Sequence, residues 1–368
     1  MILYTNVRTN VRLNYQEKNS TVPPRITLKE VAQRAGVSYQ TVSKVLNRQV
    51  RVTQETELRI MAAVRELGYR PNLIARNMRI QRSHLIGYSW APAPPDNTNF
   101  VLDQFLQSMA QSAESAGYHL LCFPHHSGQD ALKGYRELLD ASLADAFVIS
   151  GVEYNDPRIH FLHERQVPFV AFGRSNAEYS FPFVDVDGAL GMRLVTEHLI
   201  SQGHQRIGVL AWQPESRVGQ DRMQGYRDGL LAAGIEPDAD WVQYCQGTTA
   251  GGRLAAHTLL ALPEAQRPTA LAAFSDVMAI GAVEAVRQRG FELGSQIAVT
   301  GFDDTPLAQY FSPALTSVRQ PIWEVGQRVM NLLLGLLGEN VVDQDQVLLV
   351  PQLVIRQSSL RVEIVRQP

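Results

Sequence analysis

A chain of 368 residues with 45% hydrophobic and 19% charged content has room for two or three domains and the balance of an ordinary globular protein. It has no run of about 18 apolar residues and no N-terminal apolar core of signal-peptide type, which argues against a membrane span and against export. The net charge of −2 hides a division: residues 25–82 carry +8, residues 1–24 carry +2 and the remainder carries −12. One basic end on an acidic body is expected where that end meets phosphate.

Residues 1–24 are polar, lack periodicity and end in Pro23-Pro24, which reads as a disordered N-terminal extension. From Thr27 to Asn47 the chain reads as two short helices joined by a turn. Thr27 with Glu30 three residues on is a capping box, and Leu28, Val31, Ala32 and Ala35 form one apolar stripe. Gly36 stops that helix. Ser38 caps a second, in which Val42, Val45 and Leu46 face inward. Outward stand Tyr39 and Ser43, Gln40 and Lys44, flanked by Thr41 and Asn47. This face combines an amide, a phenol, hydroxyls and a cation without a carboxylate, which suits a DNA major groove. A helical hairpin of a larger α domain is the plainer alternative.

Thr53 caps a third helix whose stripe is Ile60, Ala63, Val64 and Leu67, ended by Gly68. Three helices bury little surface, so residues 25–70 should be marginally stable alone. Residues 71–82 read as a basic linker; Asn72 can cap two turns from Leu73 to Arg79, too short to be helical without a partner.

From residue 83 to 368 short apolar runs alternate with amphipathic stretches. Candidate strands are HLIGYSW, YHLLCFP, DAFVIS, PFVAFG, RIGVLA, WVQYCQ, ALAAFS, IAVTGF and VLLVPQLVI. Candidate helices lie near 100–117, 129–141, 188–203, 217–233, 251–262, 276–290 and 321–337. Alternation of this kind gives largely parallel sheets covered on both faces, and about ten strands are too many for one small doubly wound unit. Two α/β lobes facing one cleft follow. Ligands in such folds sit beyond the carboxyl ends of strands, which points to loops near Ala91, Pro124, Gly173, Ala211, Gly247, Ser275 and Gly301.

The segment TLKEVAQRAGVSYQTVSKVLN resembles the DNA-binding head of the lactose-repressor (LacI/GalR) family, with Lys44 where the family more often has Arg. FVDVDGALGMRLVTEHLISQGHQRIGVLAW, with Gly188 where Asn is usual, and SRVGQDRMQGYRDGL, AFSDVMAIGAVEAV, VTGFDDTPLAQYFSPALTSVRQP and VPQLVIRQSS are similar to later family blocks. The resemblance thus runs from about residue 25 to the end. It implies a helix-turn-helix head on a two-lobed body like that of periplasmic binding proteins, the chain crossing between lobes three times. It also implies that residues 71–82 are a hinge helix entering the minor groove, with Asn72, Ala75 and Met78 among its DNA contacts and Met78 at the wedge position.

Carried over position by position, Arg222 and Asp303 stand where family members hold ligand hydroxyls, a donor fork opposite an acceptor. Ser275, Gln320, Thr249 and Arg174 are further candidates. Thr249 occupies a position where relatives place a sugar-stacking aromatic, so stacking would either be absent or fall to Trp90, Trp212 or Trp323. The proline-rich stretch Ala91 to Phe100 departs from the family's shorter loop and is expected to shape specificity, with plain surface as the alternative.

Enzymatic chemistry has little support: there is no Gly-rich phosphate loop, no HExxH and no GxSxG, and Asp303-Asp304 are adjacent rather than opposed. Cys122 and Cys245 lie far apart without metal-ligand spacing, and His125-His126 read as loop or pocket residues. No metal or cofactor is expected, and a reducing, cytoplasmic compartment is. The expectation is a regulator that binds double-stranded operator DNA as a homodimer and answers to a mono- or disaccharide. A corepressor-dependent regulator binding a purine or other metabolite is the alternative, and a sugar-binding transport or sensor protein a distant one. The tail after Ser358 is short and lacks leucine heptads, so a dimer rather than a tetramer is expected.

Overall fold

The computed structural model describes residues 26–46, 50–69, 82–90, 99–125, 131–176, 180–338 and 345–361. The readings made for residues 1–24, Asn47, Asn72, Ala75, Met78, the hinge helix, His126 and most of the Ala91 to Phe100 loop lie outside these. The chain divides into two units between Gln81 and Arg82.

The first unit is built on three helices, α1 (Leu28–Ala35), α2 (Tyr39–Leu46) and α3 (Gln54–Glu66). Thr27 starts α1 as its spacing predicts: its N–H and hydroxyl donate to one Glu30 carboxylate oxygen at 2.6 and 2.8 Å. Gly36 ends it at φ 66°, a left-handed conformation that costs glycine nothing. Val31, Val42 and Ile60, one from each helix, are fully buried and meet in a single small core with Ala32, Ala35, Ala63 and Tyr69. Arg34 on α1 pairs with Glu66 on α3 at 2.7 Å, an exposed contact worth little beside that core.

The second unit carries two six-stranded sheets. The N-lobe comprises β1 (Leu85–Trp90), α4 (Phe100–Ser115), β2 (His119–Pro124), α5 (Lys133–Asp140), β3 (Ala146–Ser150), α6 (Pro157–Glu164), β4 (Phe169–Phe172) and β5 (Phe183–Val186). The C-lobe follows with α7 (Gly188–Ser201), β6 (Ile207–Ala211), α8 (Arg217–Ala232), β7 (Val242–Tyr244), α9 (Thr249–Leu260), β8 (Ala270–Ala273), α10 (Asp276–Gln288), β9 (Ala298–Asp303), α11 (Pro306–Tyr310) and β10 (Thr316–Arg319). The chain then returns for α12 (Ile322–Leu336) and β11 (Gln346–Leu349), and ends in β12 (Gln352–Val354).

Sheet order is β11-β5-β4-β3-β1-β2 in the N-lobe and β12-β10-β9-β8-β6-β7 in the C-lobe. Every described pair is parallel except β12, which runs against β10. The chain therefore passes between lobes three times, after β5, β10 and β11. Strands β3, β6 and β8 are buried at every position because helices cover both faces. Close helix packing in the C-lobe depends on Gly225, where a side chain would collide with the Ala189 carbonyl of α7.

Several elements depart from the sequence reading. VLLVPQLVI, read as one strand, is β11 and β12 in different sheets, because Pro351 interrupts the run as the chain changes lobe. Strands β5 and β10 escaped notice because each carries buried polar residues, Asp185 in one and Thr316 and Ser317 in the other. Helices α6 and α11 are likewise absent from the sequence reading, although Asp156 caps α6 and a proline, Pro157 or Pro306, opens each. No helix among the described residues is long and apolar enough to cross a membrane.

Candidate DNA-reading face and ligand cleft

In the first unit Val42 turns inward, so Tyr39, Gln40 and Lys44 of α2 face outward, and all three are exposed. Ser43 and Thr41 are half-buried at the edge of this face. The Ser38 oxygen accepts the Thr41 N–H at 3.1 Å and its hydroxyl meets that of Thr41 at 2.8 Å. Those two residues fix the start of α2. The Thr27 hydroxyl proton is likewise committed to Glu30, which leaves its lone pairs rather than a donor for any external group. The long side chains of Tyr39, Gln40 and Lys44 thus carry the outward chemistry of this helix.

In the second unit Arg222 and Asp303 come together. Arg222 projects from α8 and is 4% exposed, with its Nη2 3.9 Å from Asp303 Oδ1. Its Nη1 donates to the Phe274 carbonyl, its guanidinium lies 3.6 Å from the Phe302 ring centre and 4.6 Å from that of Trp212, and its buried Nε has no partner. Burial lowers the Arg222 pKa to about 10, still charged at neutrality. Burial also raises the Asp303 carboxyl well above the usual carboxylate range, and the charge of Asp276 pushes the same way while Arg222 opposes it. Asp303 sits at φ 116°, a strained conformation for a residue with a side chain, at the carboxyl end of β9. Gln320 Nε2 donates to Asp303 Oδ1 at 2.8 Å.

Asp276, fully buried, holds the neighbouring loop: its carboxylate accepts the Thr305 N–H at 2.6 Å and the Ser317 hydroxyl at 2.5 Å. Ser275 caps α10 by accepting the Met278 N–H at 3.3 Å, directly after the Phe274 carbonyl that receives Arg222. Thr249 opens α9 behind its cap Thr248 and hydrogen-bonds neither Arg222 nor Asp303. Trp212 supplies the aromatic wall beside Arg222, packing edge-on to Phe274 at 6.1 Å. Trp90 and Trp323 are more than a third exposed, and the rings that flank Arg222 are those of Trp212 and Phe302.

Arg174, at the end of β4, donates from Nε to Asp185 at 2.8 Å and from Nη2 to Asp221 of α8 at 2.7 Å. Two of its three nitrogens are thereby spent on carboxylates. Sequence reasoning missed Asp276, Phe302, Asp185 and Asp221. The signal available for the last was its place beside Arg222, and for Asp276 its place beside Ser275 at a strand end.

Residues 27–72 match the bacterial regulatory proteins of the lacI family, and residues 196–359 match the periplasmic binding protein-like domain. The chain is 31% identical over 336 residues to the HTH-type transcriptional repressor PurR of Proteus mirabilis (strain HI4320), covering 90% of this chain and 96% of that protein. The chain belongs to the LacI family. Among solved structures of LacI-type regulators, the lac repressor dimer bound to operator and the anti-inducer ONPF aligns over 91% of this chain and 99% of its own, at 28% identity and a TM-score of 0.81. The complex of the transcriptional regulator CelR with cellobiose aligns over 91% of this chain and 100% of its own, at 30% identity and a TM-score of 0.68. The helical head and two-sheet body described above are the LacI-family fold.

Proposed function

We propose that this LacI-family regulator represses carbohydrate-utilisation genes and leaves a pseudopalindromic operator when a mono- or disaccharide binds between its lobes. The observation that carries the ligand class is the pairing of buried Arg222 with Asp303 beside the Trp212 ring. A donor fork opposite an acceptor fits vicinal hydroxyls, and an indole offers an apolar face to a sugar ring. The likeness to CelR, solved with cellobiose, supports the same class.

On the DNA side, Gln40 reads adenine, while Tyr39 and Lys44 contact neighbouring base edges and phosphate. Ser43 and the backbone around Thr27, Ser38 and Thr41 position the helix, with Asn47, Asn72, Ala75 and Met78 as further contacts. A two-fold homodimer presents one such helix to each half-site. Ligand shifts the population toward one lobe arrangement, and a hundredfold change in operator affinity requires about 2.7 kcal/mol of coupling.

Thermal unfolding against mono- and disaccharides, sugar phosphates, purines and amino acids tests this reading. A ligand at about a hundred times its Kd adds about 2.7 kcal/mol, a visible shift in melting. The expected result is a shift with one sugar, followed by loss of operator binding in its presence. Tighter operator binding with that ligand would make it a corepressor, and a shift with purines alone would replace the ligand class.

A further inference from the structure

Helix α8 carries Arg222 into the cleft, and its first turn is gripped by the opposite lobe. Asp221, immediately before Arg222, accepts Arg174 of the N-lobe at 2.7 Å and is also paired with Arg217, four residues earlier on the same helix. The Arg217 guanidinium lies 5.8 Å from the ring centre of N-lobe Tyr154. Within the C-lobe that turn is held at its cap, where Ser216 accepts the Gly219 N–H at 3.2 Å, and by Gln220, whose Nε2 donates to the Pro214 carbonyl at 2.7 Å.

The charges make this grip directional. Arg174 stands between Asp185 of its own lobe, at 2.8 Å, and Asp221 of the other, at 2.7 Å. Their side chains are 25, 11 and 22% exposed, so water screens the contact less than at an open surface. Without Arg174 the two carboxylates would repel across the lobe boundary. We propose that Arg174 is a positioning residue that clasps the first turn of α8 through Asp221 and so fixes Arg222 on the cleft floor, making Arg222 sensitive to separation of the lobes. Its regulatory meaning rests on the cleft being the ligand site, whereas its test needs no ligand.

The test is amide hydrogen exchange on the full chain without ligand, comparing the first turn of α8 with α9 and α10. Arg174→Gln and Asp221→Asn should each speed exchange in that turn about tenfold, equivalent to about 1.4 kcal/mol, and leave α9 and α10 unchanged. Raising salt from about 50 to about 500 mM should do part of the same to the unmodified chain and little to Arg174→Gln. Arg174→Lys, which keeps the charge without the fork, should retain part of the protection. Unchanged exchange in the first turn of α8 in both neutral variants would overturn the proposal. So would a rise spread equally over α9 and α10, the mark of general loosening. A failed ligand screen leaves this result standing, and a failed exchange experiment leaves the ligand reading standing.

Discussion

The two units solve the burial problem on different scales. In the head, three helices bury one residue each to completion, Val31, Val42 and Ile60, around a core otherwise made of alanines and Tyr69. In the C-lobe a sheet covered on both faces buries Val209, Leu210, Leu271, Phe274, Val299 and Phe302 completely, among many others. The head leaves its second helix free to present Tyr39, Gln40 and Lys44, and the body encloses its functional groups. The difference teaches that the head gives up self-sufficiency for an accessible face, whereas the body can hold Arg222 and Asp276 out of water because it has core to spare.

The sharpest way to break this comparison is to cut the same kind of hole in each unit. Ile60→Ala should cost about 2–5 kcal/mol, enough to unfold the head and abolish operator binding while melting of the body stays in place. Val209→Ala removes two buried carbons, about 1.6 kcal/mol before any cavity cost, and should lower the melting temperature of the body without unfolding it. Circular dichroism melts together with an operator-binding assay check both. A head that survived Ile60→Ala would mean it draws stability from outside its own core.

A smaller effect is expected on the outward face of the head. Gln40→Ala should weaken binding by about 1–3 kcal/mol and relax base preference at one position of each half-site. Lys44→Ala should lower affinity more evenly across sequences and reduce the salt slope by about one. Binding titrations at several salt concentrations separate the two, and neither variant should change melting of the body.

The smallest expected effect distinguishes the units by pH. All described carboxylates of the head are exposed, whereas burial raises the pKa of Asp303 in the body above its ordinary 3.8. The folded form therefore binds that proton more tightly than the unfolded one. Its contribution to stability is complete below the unfolded value and is lost as pH rises through the raised folded value. The stability of the unmodified chain relative to Asp303→Asn should thus fall between the ordinary carboxylate range and neutrality. Denaturant titrations across that range would show the opposite slope if Arg222, rather than burial, governed Asp303.

The head was legible because its helices obey local rules: the Thr27–Glu30 box, the Gly36 stop and the stripe through Ile60 and Ala63 are each short-range. The body was legible where strands are uniformly apolar, as in β3 and β6. It was hidden where a strand holds polar groups that only tertiary structure satisfies. Asp185 in β5 is paired by Arg174, and in β10 the Thr316 hydroxyl meets that of Ser359 at 2.6 Å. The same reason limits the site. Arg222 and Asp303 were placed by resemblance, but the contact of Arg222 with Phe302 and the bridge from Arg174 to Asp221 join residues whose convergence no spacing records.

The three passages between lobes also have a genetic consequence. Neither lobe corresponds to one uninterrupted stretch of coding sequence, since α12 and β11 complete a sheet begun more than two hundred residues earlier and β12 pairs with a strand made before them. No single truncation can release one lobe intact. A newly made chain cannot finish its first sheet until β11 has left the ribosome, so the two lobes must mature, and be inherited, together.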